Sequence, residues 1–160
     1  MTFITTISIL KLALAAGVSA AVIIDDIRHR QIPNRSCAVL LVIGALSAGC
    51  CRGWGGIADG LLGAALGFAI FLIPYGLGGL GGGDVKLMAA FGALTGVQGV
   101  VPALVLVCVA GAATSILYLL GSKLRGREVP RAIPYAPAIV AGSLLVAFSQ
   151  MGPFIQMGAR

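Results

Sequence analysis

The sequence predicts an all-α, polytopic membrane protein of about six transmembrane helices, with its N-terminus outside. Three observations predict it. Of 160 residues, 59% are apolar and 10% charged, and the mean hydropathy is +1.05; an ordinary soluble domain carries roughly 25% charged residues. The apolar residues fall into runs of about 20, the length that a hydrocarbon core ~30 Å thick demands of a helix. The cations cluster: eight of the eleven Lys and Arg lie in or beside three polar breaks, as Arg28, Arg30 and Arg35, then Lys86, then Lys123, Arg125, Arg127 and Arg131. One compact domain over residues 1–160 is expected.

The first span covers Phe3 to Ile24 and is interrupted by Lys11. No basic region precedes it, so it is expected to be retained rather than cleaved as a signal peptide. Lys11 is expected to snorkel or to face other helices. After the polar stretch Asp25 to Arg35, a second span runs from about Ser36 to Cys50. A connector holding Arg52, Trp54 and Asp59 leads to a third span, about Gly60 to Tyr75. The glycine-rich break Gly76 to Gly83 follows. A fourth span begins at Asp84 and fades near Gly96, a fifth runs from about Val100 to Leu120, and a sixth from about Pro134 to Met151. Trp54 is expected to anchor at the membrane interface.

The net charge of +6 alone would suit nucleic acid or anionic lipid. Its placement instead follows the positive-inside rule, so membrane lipid is the expected surroundings and no nucleic-acid partner is expected. With the N-terminus outside, the breaks at 25–35, 76–83 and 122–133 share the cytoplasmic face, and Arg52 and Arg160 fall on the other. That orientation sets Asp26 and Asp84 at one face. The cysteines, Cys37, Cys50, Cys51 and Cys108, form no CxxC pair and no zinc-ligand set with His29, so neither a metal nor another cofactor is expected.

Carboxylates near hydrocarbon are costly and each needs an explanation. Glu128 falls in a basic loop and Asp59 in the opposite connector, where solvation suffices. Asp84 joins the glycines at 81, 82 and 83 to an apolar helix. It could serve only as a helix N-cap, but three consecutive glycines favour a backbone that must pass close to something, such as a substrate main chain. Asp26 could be an interfacial carboxylate paired with Arg28 or Arg30. Asp25 points about 100° away around a helix, so only one of these neighbours can face a common centre with Asp84. Two carboxyl groups brought together at a membrane edge cannot easily both ionise, and one then holds the proton while the other stays a base. Aspartic peptide hydrolysis requires that division of roles.

Other chemistries are poorly supported. Gly76-Leu77-Gly78-Gly79-Leu80-Gly81 formally matches GxGxxG, but no strand precedes it. A Ser–His or Cys–His site would have to use His29, in a basic loop, with Ser36 or Cys37.

Asp26-Ile27-Arg28-His29-Arg30-Gln31-Ile32-Pro33-Asn34 resembles the first-aspartate motif of the type IV prepilin peptidases, an aspartate followed six and seven residues later by an aliphatic residue and proline. Gly81-Gly82-Gly83-Asp84-Val85-Lys86-Leu87 resembles the second motif, GxGD with a following Lys. Ile133-Pro134-Tyr135-Ala136-Pro137-Ala138 is similar to a segment that opens the family's last helices. The resemblance spans about residues 20 to 145.

It implies an intramembrane aspartic endopeptidase that removes the basic leader from prepilin or pseudopilin precursors at the cytoplasmic face of a prokaryotic inner membrane. Asp26 and Asp84 would be the catalytic pair, with Gly81, Gly83, Lys86, Pro33 and Asn34 supporting the motifs. Long members carry an N-terminal cytoplasmic region with a cysteine cluster and also methylate the new N-terminus. The resemblance here implies a short form, like those serving Flp/Tad-type pili in protein secretion, with peptidase activity alone. Archaeal preflagellin peptidases share the same aspartate logic. Two readings from other classes are a small proton-coupled transporter or channel subunit, in which the two aspartates relay protons, and a non-catalytic scaffold of a secretion machine.

Overall fold

The structure, a computed structural model, describes residues 2–124 and 135–151, and all the regular elements among them are α-helices. Arg125, Arg127, Glu128, Arg131, Ile133, Pro134 and Arg160 lie outside the described residues. The helices are α1 (Thr2–His29), α2 (Asn34–Gly76), α3 (Gly82–Leu124) and α4 (Ala136–Ser149). Three stretches, Phe3–His29, Asn34–Gly76 and Gly82–Lys123, are long and apolar enough to cross a membrane. With 14 residues, α4 is shorter than expected; at 1.5 Å per residue it reaches about 21 Å.

The first helix continues through the polar residues to His29, past the expected end at Ile24, because nothing there breaks a helix. It stops where Arg30 takes a left-handed φ of 52° and the chain extends into Pro33. One stripe of α1, Ala15, Ser19, Val22 and Asp26, is buried. Its spacing of four, three and four residues is that of a helical packing seam.

Each of the two long helices is broken once, at a glycine. Gly53 has φ 62° and ψ −146°, and Gly96 has φ 68° and ψ −179°. This region is essentially closed to residues with a Cβ. At Gly53 the chain doubles back, since a side chain at Gly49 would meet Ile57, and Gly60 approaches Ala45. The expected connector over Arg52 to Asp59 is therefore a one-residue bend, with Arg52 and Asp59 inside helical turns. Gly96 likewise turns the chain back: Thr95 lies at the level of Gln150, just past the end of α4, and Gly111, one leg later, lies at Tyr135.

A bend in an apolar environment must satisfy its freed backbone groups, because water is not there to do so. Side chains from three helices do this at Gly96. Asp59 Oδ1 accepts from Val97 N–H at 3.1 Å, Gln150 Nε2 donates to Thr95 O at 3.0 Å, and Lys11 Nζ donates to Leu94 O at 3.2 Å. Asp59 also takes Arg52 at 2.8 Å through Oδ2, joining the two bends. Asp59 is thus a structural brace rather than a merely solvated residue, and Lys11 faces other helices.

The most extensive helix contact is between α2 and α3; α4 packs on α3, and α1 on α2 and α4. The core gathers Val22, Leu40, Leu87, Met88, Phe91, Val100 and Ile139, all buried. Large apolar side chains such as Leu46, Ile73, Val109 and Leu117 point outward. That surface belongs against hydrocarbon, and the protein is a membrane protein.

Ser19 on α1 and Ser143 on α4 are buried, and their hydroxyls have no hydrogen-bond partner among the described residues. Each lies seven residues from the contact between Asp26 and Ala136 on helices running in opposite directions, so the two share one depth. An unpaired buried hydroxyl costs about 1–3 kcal/mol. Ser143→Ala is therefore expected to leave stability unchanged or raise it by about 1 kcal/mol; unfolding of the purified protein in detergent measures this.

Candidate active site

Asp26 and Asp84 come from opposite ends of their helices to the same end of the bundle. Asp26 lies in the last turn of α1 and Asp84 in the first turn of α3; their exposures are 7% and 8%, and they are within electrostatic reach of each other. Asp25 falls off the buried stripe of α1. It is 37% exposed and sits 3.9 Å from His29 Nδ1. Among the described residues, neither Asp26 nor Asp84 pairs with a cation, so the ion pair considered for Asp26 with Arg28 or Arg30 does not form.

Each carboxylate is oriented by a backbone N–H. Gly81 N–H donates to Asp84 Oδ2 at 3.0 Å while Asp84 N–H donates to Gly81 O at 3.1 Å. Gly81 is thus the residue before the helix, and Asp84 is the third residue inside it, reaching back. This is the reverse arm of a capping box rather than an N-cap. On Asp26, Oδ2 accepts from Ala136 N–H at 3.3 Å. Ala136 opens α4, where the first N–H groups have no intrahelical acceptor and the helix dipole favours an anion. Tyr135, just before it, is held by a hydrogen bond between its hydroxyl and Ser115 Oγ at 3.0 Å.

The supporting residues meet around this pair. Pro33 is the residue before α2, with φ −63° and ψ 129°. Asn34 Oδ1, at the start of that helix, accepts from Lys86 Nζ at 2.9 Å. A Cβ on Gly83 would come within 2.9 Å of Ile32 Cβ, so the loop before α2 lies directly on the start of α3. Cys37, buried one turn into α2, is within reach of the charges of Lys86 and Asp84. Sequence reasoning missed Ala136 as the donor to Asp26, although the surrounding Tyr135-Ala136-Pro137 stood out; a backbone donor leaves no mark in residue type. Among the described residues, no group of three or more His, Cys, Asp or Glu gathers closely enough to hold a metal ion.

Residues 12–116 match the Type IV leader peptidase family. The chain belongs to that family. It is 37% identical over 129 residues to the Prepilin leader peptidase/N-methyltransferase of Bacillus subtilis, an alignment covering 78% of this chain and 49% of the relative. It is 29% identical over 130 residues to the protein of that name from Xanthomonas campestris, covering 77% and 44%. With Leader peptidase HopD of Escherichia coli it shares 30% identity over 148 residues, covering 88% and 93%. The chain spans about half the length of the first two relatives. No solved structure matches it.

In this leader peptidase family chain, the bond from Lys86 to Asn34 ties α3 to the loop carrying Ile32 and Pro33. The pair is exposed, so its contribution to global stability is small, at most about 1 kcal/mol. Its effect is local to that loop, which otherwise rests on α3 through the packing of Ile32 against Gly83. Asn34→Ala is expected to speed proteolytic cutting within residues 30–33 while melting close to wild type, and Asn34→Asp, which keeps an acceptor for Lys86, to restore resistance. Timed digestion of the purified protein reads this out.

Proposed function

We propose that this chain is an intramembrane aspartic endopeptidase that removes the basic leader from prepilin-like precursors, with Asp26 and Asp84 as its catalytic pair. The observation that carries the reading is the juxtaposition of two buried carboxylates, each with one oxygen held by a backbone N–H and neither in an ion pair among the described residues. One carboxyl carries the proton. The ionised partner draws a proton from water as it attacks the scissile carbonyl, and the protonated partner donates to the carbonyl oxygen. When the tetrahedral centre collapses, the proton taken from water passes to the leaving amine. The pair titrates as a unit, so the base is assigned to the dyad rather than to one residue.

The proposed topology has the N-terminus outside and six crossings, with α2 and α3 each crossing twice around Gly53 and Gly96. The aspartates then face the cytoplasm across a prokaryotic inner membrane. A leader rich in Lys and Arg stays in the cytosol while the apolar segment behind it occupies the bilayer, which holds the scissile bond at the inner boundary. Gly81 and Gly82 leave room for a substrate main chain beside Asp84, while Gly83 makes room for Ile32. Residues 1–160 act as one membrane domain, and the substrate is a precursor of Flp/Tad-type pili. The test is co-expression of a prepilin precursor with wild type or with Asp84→Asn: wild type converts the precursor to a faster-migrating band, and persistence of that band with the variant defeats the assignment.

A further inference from the structure

The carboxyl of Asp26 makes one hydrogen bond among the described residues, the one that Oδ2 accepts from Ala136 N–H. At 3.3 Å it stands at the long end for an N–H···O bond, so a small further separation would lose it. The sequence leaves no substitute. Pro137 has no N–H, and Ala138 N–H is turned back to Tyr135 O at 3.0 Å. In the first turn of α4, Ala136 is therefore the residue with a donor to spare, and the orientation of Asp26 depends on where that residue is placed.

The side chain of Tyr135 fixes that place. Tyr135 precedes α4 with φ −90° and ψ −17°, and it gives the helix its carbonyl but no side-chain cap. Its ring goes instead to the leg of α3 beyond Gly96. A Cβ on Gly111 would come within 3.0 Å of Tyr135 Cε1, so the ring rests where that side chain is missing. The phenol oxygen lies 3.0 Å from Ser115 Oγ, one turn farther along α3. Ser115 has a single hydroxyl proton and gives it to Gly111 O at 2.8 Å, so Tyr135 is the donor to Ser115. Gly111 and Ser115 thus form a socket, one admitting the ring and the other accepting its hydroxyl.

We propose that Tyr135 is a positioning residue for leader cleavage: seated on Gly111 and Ser115, it holds Ala136 N–H against Asp26 and so fixes the direction of that carboxyl toward Asp84. The inference rests on the reading of Asp26 and Asp84 as the catalytic pair. Tyr135 acts through Ala136 rather than on the reacting atoms. Without the bond to Ser115 the ring keeps its contact with Gly111, so the fold survives, but the first turn of α4 is free to shift along α3. Proton transfer suffers from such a shift, since a misplacement of about 1 Å can cost about 10²-fold in rate. Binding of the precursor does not depend on it, so the loss falls on kcat.

The test measures kcat and KM for precursor cleavage by the full chain in detergent, with hydrogen exchange followed over residues 136–139. Tyr135→Phe is expected to lower kcat by about ten- to a hundredfold with KM close to wild type, and to speed exchange over that segment. Ser115→Ala should do the same, and the double variant should be no slower than either single one, because all three lack one bond. Ser115→Thr is expected to restore kcat, since its hydroxyl can bond back to the preceding turn as Thr114 Oγ1 does to Gly111 O at 2.9 Å. Wild-type kcat in Tyr135→Phe, a change confined to KM, or losses that multiply in the double variant overturn the positioning role. Asp84→Asn on the same precursor keeps the two readings apart. Cleavage by that variant removes the dyad itself, whereas an inactive Asp84→Asn beside a fully active Tyr135→Phe removes this inference alone.

Discussion

Asp84→Asn and Asp26→Asn are each expected to abolish detectable cleavage of a prepilin precursor while leaving the helical fold in place. Asparagine keeps the shape of the side chain, and its amide oxygen can still accept from Gly81 N–H at position 84 or from Ala136 N–H at position 26. What it cannot do is take or give a proton at neutral pH. Loss of a general acid or base slows a reaction by about 10²–10⁴-fold, which puts turnover below the limit of a gel assay. Because the two carboxyls act as a unit, the double variant is expected to be no slower than the worse single one.

Asp25→Asn supplies the control. That carboxylate points off the buried stripe of α1 toward His29 and away from Asp84, so cleavage is expected to proceed at close to the wild-type rate. The measurement is the rate of precursor conversion in detergent, with helical content and melting temperature followed on the same preparations. Wild-type rates from a folded Asp84→Asn protein would remove the dyad. A loss with Asp25→Asn as large as that with Asp26→Asn would mean the wrong neighbour had been chosen.

Asp26 and Asp84 were legible in the sequence because an acidic side chain bordering an apolar run is expensive enough to demand a reason, and because glycines at 81, 82 and 83 are unfavourable without one. The helical nature and the long apolar stretches were legible for the same reason, since hydropathy records burial in lipid directly. The bends were harder to read. Hydropathy marks Arg52 to Asp59 as a polar connector, yet the chain turns on Gly53 alone, and the polar residues are helical because Asp59 is committed to Arg52 and Val97 N–H. Lys11 sits inside an apolar run for a reason that lies 83 residues away, at the carbonyl of Leu94. Ala136 N–H was illegible in principle, since every residue but proline carries the same donor. Partners of this kind depend on which helices pack together, and one chain read alone does not contain that register.

The crossing of α2 and α3 that brings Asp84 into place is where a second large effect is expected. A Cβ on Gly63 would overlap Gly92 O, and a Cβ on Gly92 would overlap Gly63 O, so the two backbones touch at that point. One turn farther along α2, a Cβ on Gly67 would stand 2.8 Å from Met88 O. These obstacles are main chain and cannot rotate aside, and small residues at such crossings are what lets membrane helices approach closely. Gly92→Ala is expected to destabilise the protein by about 1–3 kcal/mol, the usual penalty for overpacking, and Gly92→Leu to prevent folding. The effect should reach the dyad. Asp84 is eight residues before Gly92 in α3, about 12 Å along the axis, while Asp26 is held by α1 and α4, which are not part of that crossing. Wedging α2 from α3 therefore shifts one carboxylate relative to the other, and a proton relay tolerates little displacement. Folded Gly92→Ala should lose more cleavage than its population of folded molecules explains, whereas Gly121→Ala, with nothing near its Cβ position among the described residues, should match wild type in both respects. Unfolding in detergent and precursor conversion on the same samples measure the two effects, and a Gly92→Ala protein with wild-type melting would show that the helices are not in backbone contact there.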